Sequence, residues 1–181
     1  MALAFRLLCH AEIEFYIEEL SRMVVLNKVN QTKDNGKATF TILTLLAYYK
    51  TGWHGLIDDE DESTQQKKQD DTNPYKQPLK KILEEATKEY LVKVINNNHG
   101  IKTENLQKLL KPTGFDFESI DLTWLTAIDE FGKQRGATAH TSSVGVTRTI
   151  NPQDESERIS LIVDGFREID KKLMAIHHSK S

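Results

Sequence analysis

The amino-acid sequence of 181 residues predicts an all-α fold, a helical bundle of about five to six helices. Apolar residues recur at intervals of three and four along most of the chain, as they do on one face of an α-helix. Two Asn-Pro pairs open such stretches, and Asn and Gly residues close them. Hydrophobic residues make up 38% of the chain, which is enough for a sizeable core.

The first half of the sequence predicts two helices. Residues 3–29 carry an apolar stripe at helical spacing, and residues 30–36 are rich in turn-forming residues, so we expect the first helix to end there. Residues 37–57 are mostly apolar and predict a second helix ending near Trp53, although several β-branched residues weaken that pattern.

Residues 58–72 contain no apolar side chain. Such a segment cannot offset its ordering entropy by burial, so we expect a mobile acidic and polar surface loop. An acidic interaction patch is the alternative interpretation, and the solvated loop is favoured over it.

The second half predicts further helices. Asn73 and Pro74 begin one that runs to Ile95, Thr103 caps a short one that ends near Leu110, and residues 121–134 form the next. Residues 135–140 are helical or restart a helix, residues 141–150 form a loop or a short extended segment, and Asn151-Pro152 opens the last helix. We find no repeats and no long linker, which predicts a single domain over residues 1–181.

Composition excludes several classes of protein. A formal net charge of −3 excludes a strongly basic nucleic-acid coat protein, but not a small basic site. One cysteine, Cys9, excludes an intrachain disulfide and a cysteine zinc cluster, and suits a reducing cytoplasm. We find neither a signal-peptide pattern nor an uncharged apolar run of about 18 residues, so no membrane partner is expected.

Two residues are candidates for chemistry, Arg135 and His140 in the segment Arg-Gly-Ala-Thr-Ala-His. Arginine binds phosphates and carboxylates through its planar fork, and histidine exchanges protons near neutral pH. The spacing alone is weak evidence. Arg135 could instead pair with Asp129 or Glu130, and His140 could cap a helix end.

His10 and Glu14 are two polar residues on the otherwise apolar stripe of the first helix, four positions apart. Because burying polar groups is costly unless they are satisfied, the simplest interpretation is a satisfied core or interface pair. The functional alternative is that Glu14 orients or charges a histidine in a cleft, His140 among the candidates.

The segment Arg135 to His140 gives the chain a recognisable likeness. The sequence resembles the HEPN superfamily, whose signature is an Arg, four to six intervening residues and a His in a late helix, and it is most similar to the RiboL-PSP-HEPN type. Supporting features are His10 to Leu20, Asn98 to Ile101, and Trp124 to Ser142.

The resemblance implies an α-helical bundle that forms a homodimer, with the two Arg135 and two His140 side chains lining one cleft. It implies a metal-independent endoribonuclease without a cofactor, in which His140 transfers protons and Arg135 stabilises charge on the phosphate. The implied products carry 2′,3′-cyclic phosphate and 5′-hydroxyl ends. The implied partners are RNA and an antitoxin or regulatory protein, in a toxin or defence role. Glu14 and His10 would support the catalytic pair.

Gly136 departs from the family pattern. The residue after the motif Arg is often polar in active members and is thought to help orient the site. Its absence favours, as the alternative, a non-catalytic HEPN module that binds RNA, nucleotide or a partner protein in a regulatory role. A purely structural helical dimerisation domain is the third hypothesis.

Overall fold

A computed structural model describes residues 2–50, 79–140 and 151–179. The helices are α1 (Ala2–Asn35), α2 (Phe40–Lys50), α3 (Leu79–Glu89), α4 (Thr103–Leu110), α5 (Leu122–His140) and α6 (Pro152–His178). A π-helical segment, Tyr90–Ile95, continues α3, and two 3-10 turns, Lys111–Thr113 and Phe117–Ser119, lie between α4 and α5. The described ranges contain no β-strand, so the prediction of an all-α fold is confirmed.

Helix α1 is the central element of the bundle. It is 34 residues long, about 51 Å at a rise of 1.5 Å per residue, and it contacts each of the other five α-helices. Ile17, Val24 and Val25 of α1 are fully buried. The other helices therefore form one core around it.

Helix α1 continues beyond Val29, where its predicted apolar stripe ends, and stops at Asn35, within the turn-rich residues 30–36. Thr32 is buried, and its hydroxyl donates to the carbonyl oxygen of Lys37 at 2.9 Å. Gly36 follows with φ of 72°, a left-handed conformation that glycine adopts at little cost. The buried Thr32 and its hydrogen bond therefore hold the last turn despite its turn-rich composition.

The second helix predicted from the sequence is present over the described residues Phe40–Lys50. Its predicted end near Trp53, the loop predicted over residues 58–72 and the helix start at Asn73-Pro74 lie outside the described residues. So does the segment 141–150.

The predicted cap of α4 is wrong. Thr103 is the first residue of that helix, and Lys102 precedes it without a side-chain cap. The carboxylate of Asp129, on α5, accepts a hydrogen bond from the backbone N–H of Thr103 at 2.6 Å. A contact with another helix thus satisfies the N–H of Thr103, one of the four at the start of a helix that have no partner within it.

Helix α5 is continuous from Leu122 to His140, which decides the open question about residues 135–140. It begins where Asp121 accepts a hydrogen bond from the backbone N–H of Trp124 at 2.8 Å. Neither Gly132 nor Gly136 interrupts it.

Helix α6 begins as predicted. The side chain of Asn151 accepts a hydrogen bond from the backbone N–H of Gln153 at 3.0 Å, and Pro152 is the first helical residue. At its other end, the fully buried Lys28 of α1 donates to the carbonyl oxygen of Ser179 at 2.5 Å. Burial lowers the pKa of this lysine. The C-terminal end of α6 is thereby fixed against α1.

A buried ion pair joins the N-terminal parts of α1 and α6. Arg6 donates from Nε to Oε1 of Glu155 at 2.7 Å and from Nη2 to Oε2 at 2.5 Å. Their side chains are 8% and 2% exposed. Hydrogen bonding from Arg6 lowers the pKa of Glu155 despite the opposing effect of burial.

Helices α5 and α6 cross closely at Gly165. A Cβ atom at this position would lie 2.0 Å from Nε1 of Trp124, whose N–H donates to the carbonyl oxygen of Ile162 at 3.3 Å. Only glycine leaves room for the indole.

In the described part of the chain, no helix is long and apolar enough to cross a membrane.

We predict that Gly165→Ala lowers the free energy of unfolding by about 1 to 3 kcal/mol, the usual cost of overfilling a packed site. Gly132→Ala is the matched control, because it also adds a methyl group to a helix. Its Cβ would lie 2.8 Å from Cγ of Lys102, so the Lys102 side chain must change rotamer, whereas at Gly165 a packed indole must move. A gain in helix propensity of about 1 kcal/mol should offset part of that cost, so Gly132→Ala should lose less stability than Gly165→Ala. Equal losses in urea unfolding of both variants would contradict this account.

We predict that Arg6→Met lowers the free energy of unfolding by about 3 kcal/mol at pH 7, because the buried Glu155 carboxylate loses its two hydrogen bonds to a cation and keeps only the more distant Arg158, 3.9 Å away. The pKa of Glu155 is lowered in the folded protein, so its stabilising contribution exists above the ordinary carboxyl pKa of about 4.3 and is lost as pH falls further. The difference between wild type and Arg6→Met should therefore shrink below about pH 4.

The control is Arg167→Met, which removes an exposed pair with Asp164 on the same helix and should cost less than about 1 kcal/mol. Urea unfolding from pH 3 to 7 measures both differences. A constant difference for Arg6→Met across that range would show that lost packing, and not the charge, is responsible.

Candidate functional site

Arg135 and His140 lie on one uninterrupted helix, α5, and His140 is its last residue. Five residues of α-helix correspond to a rise of about 7.5 Å and a rotation of about 140°. The two motif residues are therefore held at a fixed separation by backbone hydrogen bonds and not by a loop. The side chain of His140 lies outside the described atoms.

Arg135 is half-buried. Asp129 and Glu130, the two carboxylates that the sequence offered as its partners, do not bind it. Asp129 accepts the N–H of Thr103, and Glu130 accepts a hydrogen bond from the side-chain amide of Gln134 at 2.6 Å. Within the described residues, neither carboxylate forms an ion pair with Arg135. Nothing on the preceding turns therefore neutralises this guanidinium.

Helix α5 reaches α1 through Phe131, one turn before Arg135. Phe131 is fully buried, and the imidazole of His10 stacks on its ring with centroids 5.8 Å apart and an interplanar angle of 23°. His10, a candidate identified from sequence, thus contacts the helix that carries the motif.

Glu14 is the nearest acidic group to this histidine. Its Oε2 lies 3.4 Å from Nδ1 of His10, and the two side chains are 16% and 2% exposed. Nδ1 is buried and has no hydrogen-bond partner among the described residues, so its contact with Glu14 is close but is not a hydrogen bond. Satisfaction of the pair at an interface between subunits stays a prediction. The structure places Glu14 beside His10, and its relation to His140 stays a prediction.

A polar network links the motif segment to α6, and sequence reasoning missed it. Arg158, on α6, donates to the side-chain oxygen of Gln134 and lies 3.9 Å from Oε2 of Glu155. Glu155 in turn binds Arg6 of α1. The network therefore ties the residue next to Arg135 to both neighbouring helices.

One sequence signal could have revealed part of this network. Arg6 lies four residues before His10, so the two share a helix face with the buried Ile17 and the partly buried Ile13. A cation on a buried stripe requires a buried acid. Glu155 appeared in the sequence only as a favourable charge in the first turn of α6.

Charge and hydrogen bonding around the site are suited to an anionic ligand at Arg135. The neighbouring carboxylates are engaged with other donors, and Glu155 is held ionised by Arg6 and Arg158. Among the described residues, no group of three or more His, Cys, Asp or Glu side chains is placed to bind a metal ion.

Comparison with known proteins now adds to this geometry. The model of the RiboL-PSP-HEPN family matches residues 2–175. No curated protein and no solved structure matches the chain. Since the family match spans nearly all the sequence, this chain belongs to the RiboL-PSP-HEPN family.

Proposed function

We propose that this protein is a metal-independent endoribonuclease that uses Arg135 and His140 across the cleft of a homodimer. The observation that carries the proposal is the placement of both residues on one continuous helix of a RiboL-PSP-HEPN protein. The availability of the Arg135 guanidinium supports it, because cleavage of RNA requires a cation at the phosphate.

RNA supplies its own nucleophile, so the protein needs only proton transfer and charge stabilisation. The 2′-oxygen attacks phosphorus while one His140 accepts the proton of the 2′-hydroxyl. The bond from phosphorus to the 5′-oxygen breaks, and the other His140 donates a proton to that leaving oxygen. The two Arg135 side chains stabilise the charge on the phosphate oxygens. The products are a 2′,3′-cyclic phosphate and a 5′-hydroxyl.

His10 and Glu14 support the site in this proposal. Because His10 of α1 stacks on Phe131, it fixes the rotation of α5 relative to α1. Arg135 lies one turn further along α5, so its direction is fixed as well. Glu14 sits beside that imidazole and sets the charge around it. Both are positioning residues, since neither touches the RNA in this mechanism.

The biological setting that fits this activity is a toxin or defence effector in the cytoplasm, restrained by an antitoxin or another regulatory protein. An uncontrolled ribonuclease would damage its own cell, so a partner that blocks the cleft is expected. The domain is proposed to comprise residues 1–181 and to need no cofactor.

The alternative is a non-catalytic module that binds RNA, nucleotide or a partner protein. Gly136 favours it, because glycine has no side chain to supply the polar group found after the motif Arg in many active relatives. In that case Arg135 would still bind phosphate, but His140 would transfer no proton.

We predict that the wild-type protein cleaves total RNA in EDTA and leaves cyclic phosphate ends, and that His140→Ala abolishes cleavage, at least about 100-fold, by removing the proton carrier. Arg135→Ala should have a similar effect. His178→Ala and Arg167→Ala, on exposed positions of α6, are the matched controls and should cleave like wild type. Folding is checked by circular dichroism.

Cleavage by a well-folded His140→Ala variant would reject the mechanism. RNA binding that survives in His140→Ala, with no cleavage by wild type of a broad panel of RNAs, would establish the non-catalytic module.

We predict that Gly136→Asn raises the cleavage rate by restoring a polar group next to Arg135. The measurement is the initial rate on one RNA at fixed protein concentration. Gly136→Ala is the control, because it changes helix propensity without adding a hydrogen-bonding group. An equal rise in both variants would assign the effect to helix stability instead.

A further inference from the structure

Lys102 is a cation on the surface of α5 that the proposed site leaves unused. It is the residue that precedes α4, it is half-buried, and its side chain packs on α5 at Gly132. A Cβ atom at Gly132 would lie 2.8 Å from Cγ of Lys102, 3.8 Å from Cδ and 3.6 Å from Cε. The stem of the lysine therefore occupies the space that any larger residue at position 132 would take.

Two residues of α5 hold Lys102 in this position. Asp129 accepts a hydrogen bond from the backbone N–H of Thr103 at 2.6 Å, which fixes the main chain directly after Lys102. Gly132, one turn later on α5, is buried beneath the stem of the lysine. Because main chain and stem are already held, Lys102 loses less conformational entropy when its ammonium group binds an anion.

The position of Gly132 relates Lys102 to the two motif residues, because α5 is continuous from Leu122 to His140. At about 100° per residue, the direction midway between Arg135 and His140 around the helix lies within about 10° of Gly132. Along the axis, Gly132 precedes Arg135 by about 4.5 Å and His140 by about 12 Å. A cleft lined by both motif residues therefore opens on the side of α5 where Lys102 lies.

The charge of Lys102 is available to a ligand. Within the described residues, no carboxylate forms an ion pair with it. Asp129 is engaged with the backbone at the start of α4, and Glu130 accepts a hydrogen bond from Gln134 at 2.6 Å. Glu104, which lines a cavity of about 530 Å³ together with Lys102, is exposed to solvent. An anion that approaches this side of α5 thus meets a cation that the fold has not neutralised.

We propose that Lys102 is a further RNA-binding residue, which binds a backbone phosphate next to the one that is cleaved. The inference rests on the ribonuclease proposed above and extends its site along α5. Since Cε of Lys102 is held at Gly132, about 8 Å along the axis from the middle of the motif, the ammonium group meets a neighbouring phosphate and not the reacting one. A compact point charge suits that role, which requires no bidentate geometry. Gly132 is its positioning residue.

The first test is binding of a short single-stranded RNA in a His140→Ala background, measured at several salt concentrations. Lys102→Gln should raise the dissociation constant at least about fivefold at low salt. It should also reduce the slope of log K against log salt by about 0.7, the value for one lost phosphate contact on a single strand. Lys88→Gln makes the same change at an exposed lysine of α3 and should alter neither quantity. No change with Lys102→Gln, or equal changes in both variants, would overturn the proposal.

The second test displaces Lys102 without removing a charge. The methyl group of Gly132→Ala takes the place of the lysine stem, so this variant should weaken RNA binding about as much as Lys102→Gln does. The double variant should then bind no more weakly than Lys102→Gln alone, because the two changes remove one interaction. If Gly132→Ala weakens binding equally with and without Lys102, the effect belongs to α5 itself and the positioning role is rejected.

Cleavage by otherwise wild-type protein separates this inference from the proposed function. In an active enzyme, Lys102→Gln should raise KM and leave kcat within about twofold, because a flanking phosphate is bound equally in the ground and transition states. Cleavage with no effect of Lys102→Gln on KM or RNA binding would reject the role of Lys102 and leave the ribonuclease standing. Weaker binding in both variants, without any cleavage by wild type, would reject the ribonuclease and leave the phosphate site established.

Discussion

The fold and the candidate site both depend on the packing of α1 against two other helices. Helix α1 contacts the second half of α5 and the first turns of α6. The buried Arg6–Glu155 pair is the central interaction there. A bidentate pair of this kind is directional, so it fixes the rotation of α1 relative to α6 as well as their distance. Stacking of His10 on Phe131 does the same for α5. The motif segment is therefore held from two sides.

This arrangement explains why a helix with two glycines near its end remains intact. Gly132 accommodates the aliphatic stem of Lys102, and Arg158 binds Gln134 from α6. These contacts compensate for the weak helix propensity of glycine. The same contacts leave Arg135 without a neutralising carboxylate among the described residues, which suits the phosphate-binding role proposed for it. Structural stability and availability of the cation thus come from one set of contacts.

A metal-free ribonuclease of this type needs two subunits if each supplies one proton acceptor or one proton donor. In that mechanism dimer formation completes the site, and an antitoxin could block the protein by occupying the cleft.

The sequence by itself determined the fold class and the start of α6 at Asn151, and it singled out Arg135 and His140 as candidates, because periodicity, capping and motif spacing are local properties of the chain. It also led to the family, which the match to RiboL-PSP-HEPN confirms. Only the tertiary structure decided where α1 ends, that Asp129 caps α4 and that Glu155 binds Arg6. These outcomes depend on groups far apart in sequence, whose burial and hydrogen bonds outweigh local preference.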